Sequence, residues 1–195
     1  MRSKKSRFHD YLWIWSIVYF VLGLFNILFA WLGMIDFLLP LIIAMVWGNK
    51  FFCNKLCGRG QLFTVIGKQL RCSANRPTPP WMLSKKFRYG FMVFFLVMFG
   101  NVVFQTWLVA SEAATVKGAV ILLFSITMPW EWAYTGGIVP TWMAQFSFGL
   151  YGLMLVSLII GLIVMLLFKP RTWCSFCPMG TMTQEICKVK NLSHK

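Results

Sequence analysis

The sequence predicts an all-α fold, a polytopic transmembrane helix bundle of four spans, on three observations. Long apolar runs carry no charge, basic residues gather in the segments between them, and a cysteine turn recurs after the second and the fourth run. With 58% hydrophobic and 17% aromatic residues against 12% charged, the 195-residue chain does not read as a water-soluble domain. Its 19 Lys and Arg give a net charge of +14, but they fall in blocks. Blocks of that kind speak for orientation in a bilayer, and with no recognisable module they give no reason to expect nucleic-acid binding.

The first element, YLWIWSIVYFVLGLFNILFAWLG at residues 11–33, is 23 residues without a charge. At 1.5 Å per residue it spans roughly 35 Å, enough for the roughly 30 Å hydrocarbon core. No small-residue cleavage pattern follows it, so an uncleaved anchor is expected. The next run, IDFLLPLIIAMVWGN, is shorter and contains Pro40. It crosses only by borrowing residues 50–52 or by sitting in a thinned bilayer.

Residues 50–88 are a different material: nine basic residues, no acid, three cysteines and the turn-rich NRPTPPW. A third span follows at residues 89–110, with Asn101 and Gln105 inside it, and a last one at residues 142–168. Residues 111–141 are apolar in the middle but interrupted by Pro129, Glu131, Gly136, Gly137 and Pro140. They read either as a fifth helix or as an interfacial, re-entrant piece.

Charge decides the topology. The N-terminal tail holds four basic residues, the 50–88 loop nine and the C-terminal tail five, leaving only Lys117 for the rest. All three blocks are therefore expected on the cytoplasmic side of the inner cell membrane, with both termini cytoplasmic and residues 111–141 at the outer face. A fifth full crossing would put one basic block outside. The whole of residues 1–195 is expected to be one integral membrane domain, made of a half at 11–88 with a cysteine loop and a half at 89–195 with a cysteine tail.

All six cysteines, Cys53, Cys57, Cys72, Cys174, Cys177 and Cys187, lie outside the apolar runs in those two cytoplasmic segments. In a reducing compartment a structural disulfide framework is a poor reading, and metal binding or transient redox chemistry gains weight. FFCNKLCGRGQL and TWCSFCPMGTM share a pattern: Cys, two or three residues, Cys, Gly or Pro, one residue, Gly. Cys53 and Cys57 are expected on one helix face, and Pro178 suits the first turn of a helix whose backbone N–H groups point at a negatively charged sulfur site. If that helix continues, Cys187 lies about 15 Å along it, too far to ligate the same centre, and Cys72 is removed by the same reasoning. Two pairs remain, and four thiolates are what one [4Fe-4S] cluster requires.

These turns resemble the paired Cys-x-x-x-Cys-Pro turns of the NapH and NosR type of membrane iron-sulfur proteins. The resemblance implies a [4Fe-4S] cluster on Cys53, Cys57, Cys174 and Cys177; Cys72 and Cys187 stay the less favoured candidates because of their distance along the chain. It implies electron transfer with a redox partner such as an FMN-binding flavoprotein, a ferredoxin or a quinone-linked complex. Gly58 stands where that family has proline, and the second turn has two residues between its cysteines instead of three.

Other readings compete. A redox- or copper-sensing regulatory subunit would use the same thiols, with Met179 and Met182 as soft neighbours. A membrane thiol-disulfide relay usually keeps a reactive cysteine within a span, and none is there. No haem is expected, because His9 and His194 both lie in the tails. No nucleophile, acid and base can be assembled, so the chain reads as an electron-transfer component more than as a stand-alone enzyme. Lys55, Arg59 and Arg171 flank the turns either as topology markers or as charges offsetting a cluster. The crowd of rings at Trp47, Phe51, Phe52, Trp81, Trp173 and Phe176 reads either as a shield that excludes water from a cluster and tunes its potential or, favoured, as an interfacial aromatic belt.

Overall fold

The computed structural model describes residues 11–70, 72–113, 115–116, 119–121, 125–127 and 139–193. The basic N-terminal tail, the breaks at Pro129 to Gly137 and both histidines lie outside the described residues. Helix α1 covers Leu12–Phe25, and a 3-10 turn at Ile27–Trp31 runs directly into α2, Leu32–Trp47. A π-turn at Phe52–Leu56 leads to α3, Gly58–Thr64, and a second π-turn at Val65–Gln69 closes it. A short α4, Pro80–Leu83, precedes the long α5, Lys85–Ala110. Strands β1, Ala119–Ile121, and β2, Ser125–Thr127, pair antiparallel before α6, Thr141–Leu167, α7, Thr172–Phe176, and α8, Pro178–Ser193.

Three of these segments are long and apolar enough to cross a membrane: Ile27–Trp47, Lys85–Ala110 and Thr141–Leu167. The first boundary differs from the expectation. The run at 11–33 is not one helix, because Asn26 leaves the helical region at φ −147°, ψ 121° and its side chain accepts the Leu28 N–H at 3.0 Å. That amide caps a new helix start, so Ile27 to Gly33 belong to the second span and bring it to 21 residues without borrowing residues 50–52. The described part of α1 has 14 residues, about 21 Å of helix. Pro40 sits inside α2 without ending it. In the 111–141 segment, where a fifth helix was one alternative, β1 and β2 pair antiparallel, and residues 128–138 lie outside the described residues.

Packing brings the cysteine segments together. Phe63 of α3 lies against Gly161 of α6 so closely that a Cβ there would come within 2.5 Å of the ring. Gly58 meets the other side, where a Cβ would stand 2.6 Å from the Leu12 carbonyl oxygen of α1. Helix α3 is thus clamped between α1 and α6. Helix α8 crosses the same end of the bundle: Lys50 and Arg88 both donate to Gln184 Oε1, at 2.8 and 2.5 Å, and Lys190 donates to the carbonyls of Met45 and Val46. One buried cluster fills the middle of the bundle around Tyr19, Phe37, Phe148 and Tyr151. A second, around Phe63, Met165, Trp173 and Phe176, lies directly under the C-terminal cysteine turn.

Candidate metal centre

The two cysteine turns are built alike by different means. In the second, the Cys177 N–H donates to the Trp173 carbonyl four residues back at 2.9 Å, an α-type turn over Cys-x-x-Cys. In the first, the Cys57 N–H donates to the Phe52 carbonyl five residues back, also at 2.9 Å, a π-turn over Cys-x-x-x-Cys. Each bond therefore joins the second cysteine to the residue before the first. The extra residue is absorbed in the wider ring.

Both second cysteines then turn extended, at ψ 104° for Cys57 and ψ 130° for Cys177, and each precedes a new helix. Their carbonyls accept the first helical bonds, from Gln61 at 3.1 Å and Thr181 at 3.0 Å. This corrects the expectation that Cys53 and Cys57 share one helix face: a helix ends and another begins at Cys57. Pro178 opens α8 as expected, and the backbone N–H groups of Met179 and Gly180 hydrogen-bond the Cys177 sulfur.

One cavity of about 390 Å³ is lined by Cys53, Cys57, Cys174 and Cys177 together. That is room for far more than the roughly 30 Å³ share of a water molecule. The glycine three residues after the second cysteine is what opens it. A Cβ on Gly60 would lie 3.5 Å from Cys174 Sγ and 3.8 Å from Cys57 Sγ, in the space between the two turns. The Thr183 hydroxyl of α8 stands 3.6 Å from Cys53 Sγ.

The remaining two cysteines are placed apart. Cys72 is exposed on the loop before α4, its thiol donating to the Leu70 carbonyl at 3.5 Å. Cys187 is buried on α8, near enough to Cys53 and Lys50 for their charges to interact, but it does not line the cavity.

Burial pushes the Cys53 thiol above its ordinary range, Cys174 up to about 12 and Cys177 up to about 11, with the neighbouring cysteines adding to the effect. Cys174 is exposed where it lines the cavity yet surrounded by protein mass elsewhere. Thiols so placed stay protonated until a metal displaces the proton. Among the described residues no three Cys, His, Asp or Glu side chains stand close enough to share a single metal ion. Four thiols ringing a cavity suit a cluster, in which each iron takes its own thiolate, better than one zinc or copper ion.

A family model described as a 4Fe-4S binding domain matches residues 29–90 and 151–191, more than half of the chain, and each stretch contains one cysteine turn. The chain belongs to the 4Fe-4S binding domain family. No curated protein and no solved structure matches the chain. For this 4Fe-4S binding domain the donor set, the Gly60 opening and the N–H groups aimed at Cys177 all fit an iron-sulfur cluster.

The structure changes the weight of some residues and adds others. Trp173 and Phe176, assigned to the aromatic belt, are buried, and Phe176 packs edge-to-face on Phe87 and Phe91 at 5.3 and 5.5 Å. Trp47 and Trp81 do face outward as a belt requires. Thr183 gave no signal at all, whereas Gly60 and Gly180 stand at the same place in both turns and could have been read as the opening.

Proposed function

We propose that the chain is a membrane electron-transfer protein of the NapH and NosR type. It holds one [4Fe-4S] cluster through Cys53, Cys57, Cys174 and Cys177 at the cytoplasmic face of the inner cell membrane, and it passes single electrons between a cytoplasmic donor and a membrane-associated partner. The observation that carries this reading is the single cavity lined by both cysteine pairs.

When bound, the cluster would supply one-electron oxidation and reduction. The chain's own residues do the rest. Cys53 and Cys57 arrive from the end of the second span, Cys174 and Cys177 from the end of the last, so the site forms only when the two meet. Met179 and Gly180 N–H groups offer hydrogen bonds to the Cys177 sulfur, and the Thr183 hydroxyl, which donates to the Gly180 carbonyl, stands beside Cys53 Sγ. Trp173 and Phe176 close the inner side against water. An FMN-binding flavoprotein, a ferredoxin or a quinone-linked complex would exchange electrons from the surface around the turns.

Anaerobic purification tests this, with iron, acid-labile sulfide and copper counted per chain. About four irons and four sulfides are expected, lost when any of the four cysteines is changed to serine and kept in Cys72→Ser and Cys187→Ser. A preparation with copper in place of iron, or one without metal whose thiols cycle through disulfides, would sink the proposal.

A further inference from the structure

Arg59 lies between the two cysteines' helix start and Gly60, and its side chain turns into the cavity that all four thiols line. It is tied to the last span. Nη1 donates to Ser157 Oγ at 2.7 Å, Nη2 meets Met154 Sδ at 2.7 Å, and the guanidinium carbon stands 5.5 Å over the Phe20 ring. Ser157 and Met154 are themselves buried. All three contacts are uncharged.

Asp36 lines the same cavity close enough for its charge to interact with Arg59, but its carboxylate is held by the Trp15 indole N–H at 3.3 Å and stands beyond the 4 Å of an ion pair with Arg59. Among the described residues the ion pair within 4 Å is Lys188 with Glu185, at the surface. The other two basic neighbours of the turns differ. Lys55 is exposed beside the Phe51 ring, and Arg171 is exposed and donates to Thr64 Oγ1, so water and salt screen both.

A guanidinium fixed in a half-buried cavity with no carboxylate at ion-pair distance is costly, and such a charge is kept where it meets an opposite one. We propose that Arg59 is the counter-charge of the cluster and sets its reduction potential, an inference that rests on the cluster assignment above. Four thiolates give the bound group a net negative charge, and reduction adds one electron and no proton. The positive charge across the cavity stabilises the reduced state more than the oxidised one and raises the potential. Arg59 thus acts through charge and position, not as a ligand.

The test is a redox titration of the full-length protein, purified anaerobically and followed by electron paramagnetic resonance, with iron counted in each variant. Arg59→Gln is expected to keep its iron while the equilibrium constant for reduction falls tenfold or more, about 59 mV for a one-electron couple. Arg59→Lys, which keeps the charge, is expected to recover most of that shift. Iron retained with an unchanged midpoint in Arg59→Gln overturns the counter-charge alone. Absence of iron and sulfide from the unmodified protein overturns the cluster assignment and this inference with it.

Two further variants close the remaining routes. If Arg59→Gln fails to hold iron, Ser157→Ala frees the guanidinium without removing it, and a shift in the same direction is expected; no shift overturns the proposal. In an Asp36→Asn background the effect of Arg59→Gln is expected to persist. Its disappearance would make Asp36, not the cluster, the partner of Arg59.

Discussion

Gly58 and Gly60 stand two residues apart in α3 and have different work. Gly58 faces α1, where an added methyl would sit 2.6 Å from the Leu12 carbonyl oxygen and 2.7 Å from Ser16 Oγ. A backbone oxygen cannot swing aside, so Gly58→Ala must displace a helix. A loss of about 1–3 kcal/mol of stability is expected, seen as a lower unfolding midpoint in detergent with or without iron. Gly60 faces the sulfurs at ordinary van der Waals distance, 3.5 Å and 3.8 Å, so Gly60→Ala should leave the metal-free protein as stable as before. The methyl would instead occupy the opening between Cys57 and Cys174. Iron per chain should drop to a minor fraction of the unmodified value while circular dichroism stays the same. A Gly60→Ala protein with full iron content would show that the opening is not where the cluster sits.

At the scale of elements, the turn at Asn26 decides where the second span starts. Its side chain satisfies the Leu28 N–H at 3.0 Å as the chain reverses. Asn26→Ala removes that cap and should cost about 1 kcal/mol, while Asn26→Asp, which keeps an acceptor, should cost less. Thermal unfolding of the two variants in the same detergent checks the order. This turn was invisible to hydropathy, because one amide in an apolar run of 23 residues barely changes the average. The polar side chain's hydrogen bond, not its transfer cost, ends the helix. The π-turn at Phe52–Leu56 was hidden for a related reason. Spacing alone cannot say whether an extra residue lengthens a helix face or is taken up in a wider ring. The pairing of the two cysteine turns, by contrast, could be read directly, since the repeat Cys, Cys, Gly or Pro, one residue, Gly is local. The contacts of Arg59 with Met154 and Ser157 could not, being 95 and 98 residues away in sequence.

For the molecule as a whole, both cysteine turns collect at one end of the bundle. Helix α8 ties that end together: Gln184 takes bonds from Lys50 after α2 and Arg88 in the first turn of α5, while Tyr89 donates to Glu185 at 2.7 Å. Lys190 serves the carbonyls at the end of α2, where the helix leaves acceptors unpaired. The turn at Asn26 and the end of α5 at Ser111 lie one span length away along the chain in each half. Basic residues crowd the cysteine end, with Lys50, Lys55, Lys85, Lys86, Arg88, Lys169 and Arg171 all within the segments that bound it. In the proposed reading, the positive-inside rule puts that end at the cytoplasm. Cys72, exposed on the loop before α4, and a cysteine placed at the exposed Ser111 should then be reached from opposite sides of the membrane. In intact cells a membrane-impermeant maleimide should label Ser111→Cys and spare Cys72, and inverted vesicles should reverse the pattern, with peptide mapping to assign each adduct. Labelling of both from one side would break the topology and, with it, the cytoplasmic entry of electrons.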